Sequence, residues 1–74
     1  MKIYTVDDLI KTFGFAPGVK RIKGKGTQKG LGDYFGCDQG TVSKWLDKGC
    51  IPVNRAKFII ENESVKVGQL PIGL

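Results

Sequence analysis

A chain of 74 residues with a formal charge of +5 has room for one small domain, and a core of that size is marginal without help such as dimerisation. Hydrophobic residues at 41% against 26% charged exclude a disordered chain, and the lack of histidine leaves too few ligands for a zinc site. A pI near 9.4 on so small a body favours polyanionic partners, nucleic acid first and an anionic membrane surface second.

The first predicted element is a helix in "TVDDLIKTFG", residues 5–14. Thr5 followed by Asp8 reads as a capping box, Val6, Leu9, Ile10 and Phe13 share one face, and Gly14 suits the C-cap. The preceding "KIYT" reads as a short strand. Residues 15–26 break the pattern with Pro17, Gly18, Gly24 and Gly26, and carry Lys20, Arg21, Lys23 and Lys25 without an acid. Two readings stand for this loop, a solvated linker and an arm that contacts phosphates. Val19 and Ile22 are expected to anchor it. "GKGT" at Gly24–Thr27 is not a phosphate-binding loop: Lys25 is followed by Gly26, and the chain has no room for a nucleotide fold.

A second helix follows in residues 27–36, with Thr27 as N-cap and Leu31, Tyr34 and Phe35 on its apolar side. Gly30 and Gly32 each cost about 1 kcal/mol of helix propensity, which Gly32 would justify by admitting a close neighbour. A third helix spans residues 38–49, capped by Asp38 and Gly49. Val42, Trp45 and Leu46 fall on one face, and Gln39, Gly40, Ser43, Lys44 and Asp47 on the other. From Ile51 the pattern is ambiguous. A helix over Pro52–Glu61 is favoured, yet "KFIIE" is rich in β-formers, and "NES" would turn it into "VKVGQL" as a hairpin.

Two short helices joined through Gly36 and Cys37, with Gly32 before the turn and Val42 and Trp45 after it, form a helix-turn-helix pattern. "TQKGLGDYFGCDQGTVSKWLDKGCIP" resembles the helix-turn-helix of phage Cro/CI-type repressors and their prophage and YdaS-like antitoxin relatives. "TVDDLIKTFG" resembles the usual first helix of that family, and "IPVNRA" resembles its Ile-Pro-start helix. The basic Gly-rich loop is a departure, since relatives are often much shorter there. The resemblance implies a mainly α, lambda repressor-like domain of four to five helices over residues 1–74. A small β element from residues 2–5 and 65–70 is compatible with it, because Cro-like proteins occur in all-α and α+β forms.

The expected function is a sequence-specific transcriptional repressor that binds a pseudo-palindromic operator as a homodimer, which need not be stable off DNA. An antitoxin or activator would use the same motif. A protein-interaction module and an RNA-binding domain using the basic loop are the readings from other classes. In the DNA reading, Gln39, Gly40, Ser43, Lys44 and Asp47 face base edges. Thr27 and Gln28, at positions that resemble the family's phosphate contacts, join Lys20, Arg21, Lys23, Lys25 and Lys48 on the backbone. Trp45 is expected in the core. Phe58, Ile59, Val65, Val67, Leu70, Ile72 and Leu74 are more apolar residues than one short helix buries, so a C-terminal dimerisation segment is expected. No cofactor, metal, small-molecule ligand or membrane partner is expected. Cys37 and Cys50 are read as free thiols without catalytic partners, and no enzyme is expected. No apolar run approaches the ~18 residues of a membrane span and no signal-peptide core is evident, so the expected location is the cytoplasm of a bacterial or phage-infected cell.

Overall fold

The computed structural model describes residues 3–16, 18–22 and 24–73. The chain is mainly helical, with α1 at Val6–Phe13, α2 at Gln28–Phe35, α3 at Gln39–Lys48, α4 at Val53–Glu63 and a 3-10 turn at Val67–Gln69. The start of α1 is the expected capping box: the Asp8 N–H donates to Thr5 Oγ1 at 3.1 Å, and the Thr5 N–H donates to Asp8 Oδ2 at 3.0 Å. Val6, Leu9, Ile10 and Phe13 are all buried, as their spacing predicts.

The junction between α2 and α3 is set by two glycines. Gly36 has φ +77°, its N–H donates to the Asp33 carbonyl, and the Cys37 N–H donates back to the Gly32 carbonyl at 2.7 Å. This is a Schellman termination, which needs a left-handed residue and turns the chain sharply. Gly32 is needed for proximity: a Cβ there would stand 2.7 Å from the Cys37 carbonyl oxygen. Arg55 of α4 completes the end of α2, its Nη1 donating to the Phe35 carbonyl at 3.2 Å while its guanidinium lies over the Phe35 ring. Asp38 occupies the N-cap of α3, but its side chain forms no capping hydrogen bond.

Leu9, Leu31, Val42, Ile51 and Ile59 form the deepest part of a single core shared by all four helices. Trp45 joins it, packed edge-on against Phe35 with ring centroids 5.5 Å apart. Leu46, expected beside Trp45, stands at the exposed margin. A radius of gyration of 11.0 Å matches the ~11 Å of a compact body of this length.

In the C-terminal third the favoured helix forms and the alternative hairpin does not: α4 runs through "KFIIE" to Glu63, two residues past the expected end, because Ala56 and Ile59 on its inner face are buried against the helical core. No strand forms at residues 3–5 or 65–70; Lys2 lies outside the described residues. The tail instead crosses the core as an irregular strap. The Tyr4 N–H donates to the Gln69 carbonyl, the Ile51 N–H to the Pro71 carbonyl and the Gly73 N–H to the Ile51 carbonyl, with one parallel bridge between Ile51 and Ile72. Ile59, Val65 and Leu70 therefore belong to the core, not to an exposed surplus. Phe58 and Val67 remain exposed, Ile72 is half-buried, and Leu74 lies outside the described residues.

Candidate nucleic-acid interface

The turn at Gly36 places α3 across α2 with Val42 and Trp45 turned inward, so the opposite face of α3 must meet solvent. Gln39, Gly40, Lys44, Asp47 and Lys48 are exposed there, and Ser43 is half-buried. Gln39, Ser43 and Asp47 follow one another at four-residue steps, with Gly40 and Lys44 beside them. The row is about 12 Å long at 1.5 Å per residue, enough to face roughly four base pairs.

The two helices are braced by a polar contact as well as by packing. Ser43 Oγ donates to Gln28 Oε1 at 2.6 Å, joining the middle of α3 to the first residue of α2. That bond uses the Gln28 carbonyl oxygen and not its amide NH₂ donors, which lie at a helix N-terminus where backbone N–H groups also favour an anion. Ser43 is thus a brace between α3 and α2 as well as a half-buried member of the polar face. Thr27 caps α2, its Oγ1 accepting from the Gly30 N–H at 3.0 Å, which leaves its own hydroxyl hydrogen available. Gly30 itself sits against the Gly14 carbonyl, where a Cβ would collide with it.

The basic loop starts and ends at one point. The Thr27 N–H donates to the Gly14 carbonyl at 3.0 Å and the Gly26 N–H to the Lys11 carbonyl at 3.2 Å. Phe15 is buried at its base, but Val19 and Ile22, expected as anchors, are 56% and 53% exposed. Lys20 and Lys25 are exposed, and Lys23 lies outside the described residues. Among the described loop residues, Arg21 is the one whose side chain has fixed partners. Its Nη1 donates to Glu63 Oε2 at 2.7 Å and its Nη2 pairs with Glu63 Oε1. Its guanidinium lies over both Phe13 and Tyr34, 5.8 and 5.7 Å from the ring centroids.

No protein-family model, curated protein or solved structure matches this chain.

Glu63 and Arg55 carry no role expected from the sequence, and Tyr34, expected only to pack, also forms a polar contact. The Tyr34 hydroxyl donates to Glu63 Oε1 at 3.3 Å, and its ring packs edge-on against Phe35 and Phe58. Burial, reinforced by the Glu63 carboxylate, pushes the Tyr34 phenol up to about 12. Glu63 offers one sequence signal, since an acid in the last turn of a helix opposes the macrodipole and calls for a cation. Its partner 42 residues away leaves no local trace. Cys37 and Cys50 are free. Burial pushes the Cys37 thiol up, with Asp38 adding to the shift and Arg55 opposing it, which disfavours the thiolate. Among the described residues, no helix is long and apolar enough to cross a membrane.

Proposed function

We propose that this protein is a sequence-specific DNA-binding transcriptional repressor of the Cro/CI type, acting as a dimer on a pseudo-palindromic operator in the cytoplasm. The observation that carries the reading is the solvent face of α3, with Gln39, Gly40, Lys44 and Asp47 exposed and Ser43 tied to the N-terminal residue of α2. A helix held in this way can enter a major groove while the start of α2 rests on the flanking phosphates. Gln39 offers a bidentate amide for adenine and Lys44 donates to guanine O6 and N7. Gly40 leaves space for a thymine methyl, and Asp47 accepts from cytosine N4. Thr27, Gln28, Lys20, Lys25 and Lys48 supply the sequence-independent contacts.

Size supports a dimer in this reading. The longest dimension of the fold is 28 Å, whereas half-sites on one face of B-DNA lie ~34 Å apart. One copy reaches one half-site, and the few base pairs it reads do not discriminate within a genome. An antitoxin or activator with the same interface would bind DNA identically and differ in what it regulates.

Selection of bound duplexes from a random pool tests the reading. The expected product is a palindrome with half-site centres about one helical turn apart. Retention of the starting pool without an enriched motif would refute sequence-specific recognition.

A further inference from the structure

Arg21 stands apart from the lysines around it. It is the one arginine in a loop of cations, and its planar fork meets both oxygens of a single carboxylate. That carboxylate belongs to Glu63, the last residue of α4, whose side chain is only 11% exposed. The same guanidinium stacks on Phe13 of α1 and Tyr34 of α2, and Tyr34 donates to the same carboxylate. One loop side chain therefore touches all three helices that flank it. Withdrawing it towards a DNA phosphate would leave a mostly buried carboxylate at a helix C-terminus, with a phenol as its remaining partner, and both burial and the helix dipole oppose that state.

We infer that Arg21 is a latch and not a DNA contact: its fork on Glu63, between Phe13 and Tyr34, holds the basic loop against the C-terminal ends of α1, α2 and α4 and so restricts where the exposed Lys20 and Lys25 can reach. Lysine in its place would supply the charge but neither the fork nor the stacking. In its DNA consequences the inference rests on the proposed operator binding; the latch itself is a property of the free protein. The loop ends are already fixed by backbone hydrogen bonds at Gly14 and Lys11, so the latch governs the span between them.

The test uses the full chain with Arg21→Gln, Glu63→Gln and the charge-reversed pair Arg21→Glu with Glu63→Arg. Without DNA, trypsin cleavage after Lys25 reports loop opening, and cleavage after Lys57 in α4 reports opening of the helical body. Each single variant is expected to speed cleavage after Lys25 by about tenfold, with little change after Lys57 and partial recovery in the reversed pair. Unchanged cleavage after Lys25, or equal acceleration at both sites, would overturn the latch. With DNA, both single variants are expected to weaken binding to a random duplex by about threefold, because the lysines are no longer held in place. If Arg21 instead contacted phosphate, Glu63→Gln would release it and tighten binding, and that result would also overturn the inference. Failure of the native chain to bind any duplex would refute the DNA reading alone, and the protease comparison would still decide the latch.

Discussion

Lys44 and Tyr34 show how differently two polar side chains behave once α2 and α3 are packed. Lys44 is exposed on the outer face of α3 and forms no ion pair among the described residues, so its charge is available to a partner. Lys44→Ala is expected to lose about 1–3 kcal/mol on the best operator and to relax preference at one base pair. Competition binding against specific and random duplexes checks this; equal losses on both would reassign Lys44 to a phosphate. Tyr34 is spent internally. Its phenol is raised from 10.0 to about 12 by burial and by Glu63, although Arg21 pulls the other way. A raised pKa on an acid means that the neutral form is favoured in the fold. The stabilisation is complete below about pH 10 and is lost as pH rises towards 12. Tyr34→Phe should therefore show a flatter fall in melting temperature than the native chain across that window. Parallel melting curves would mean that the phenol makes no pH-dependent contribution.

At the scale of elements, two of the glycines within α2 and α3, at positions 32 and 40, predict opposite outcomes for one substitution. Alanine gains up to about 1 kcal/mol of helix propensity at either position. At Gly32 the new Cβ meets the Cys37 carbonyl oxygen at 2.7 Å, and backbone does not yield as a flexible side chain would. Gly32→Ala is expected to be destabilising by about 1–3 kcal/mol. At Gly40 nothing lies within 4 Å, so Gly40→Ala should stabilise the protein while weakening operator binding, because the new methyl occupies the groove side of α3. Urea unfolding with an unchanged slope measures the first pair of effects; DNA titration measures the last. The loop makes a separate prediction. Replacing Lys20 and Lys25 with Gln should flatten the dependence of log affinity on log salt by ~0.9 per lost phosphate contact. An unchanged slope would show that the loop is a solvated linker.

For the whole molecule, the strap formed by residues 65–73 changes what a C-terminal truncation would report. Val65 and Leu70 lie in the core, and Ile51 and Tyr4 hold the strap through backbone hydrogen bonds. Truncation after Ser64 should abolish cooperative unfolding and not merely separate dimers, a difference that circular dichroism melts resolve. The dimer itself is tested on DNA. Sedimentation of the intact chain with a duplex carrying both half-sites should reach two chains per duplex, and saturation at one chain would refute the dimeric reading. Among the described residues, Phe58 and Val67 are the members of the expected apolar surplus that stay exposed and can meet a second surface.

The first three helices were legible in the chain because their signals are local. The capping box at Thr5 and Asp8, the inward spacing of Val42 and Trp45, and a glycine where φ must be positive each lie within a few residues of what they control. The polar face of α3 was legible for the same reason. For "KFIIE" the helix was favoured only narrowly, since its composition suits strand and helix alike; the choice turned on burying Ile59 in the core shared with α1 to α3, a contact no local window contains. The strap, the Ser43–Gln28 brace and the Arg21–Glu63 pair share that character, joining residues that are distant along the chain. Periodicity and turn chemistry specify which helices form and which face is wet. Only the packed arrangement decides which polar groups on those faces are already bound to one another and which remain for a partner.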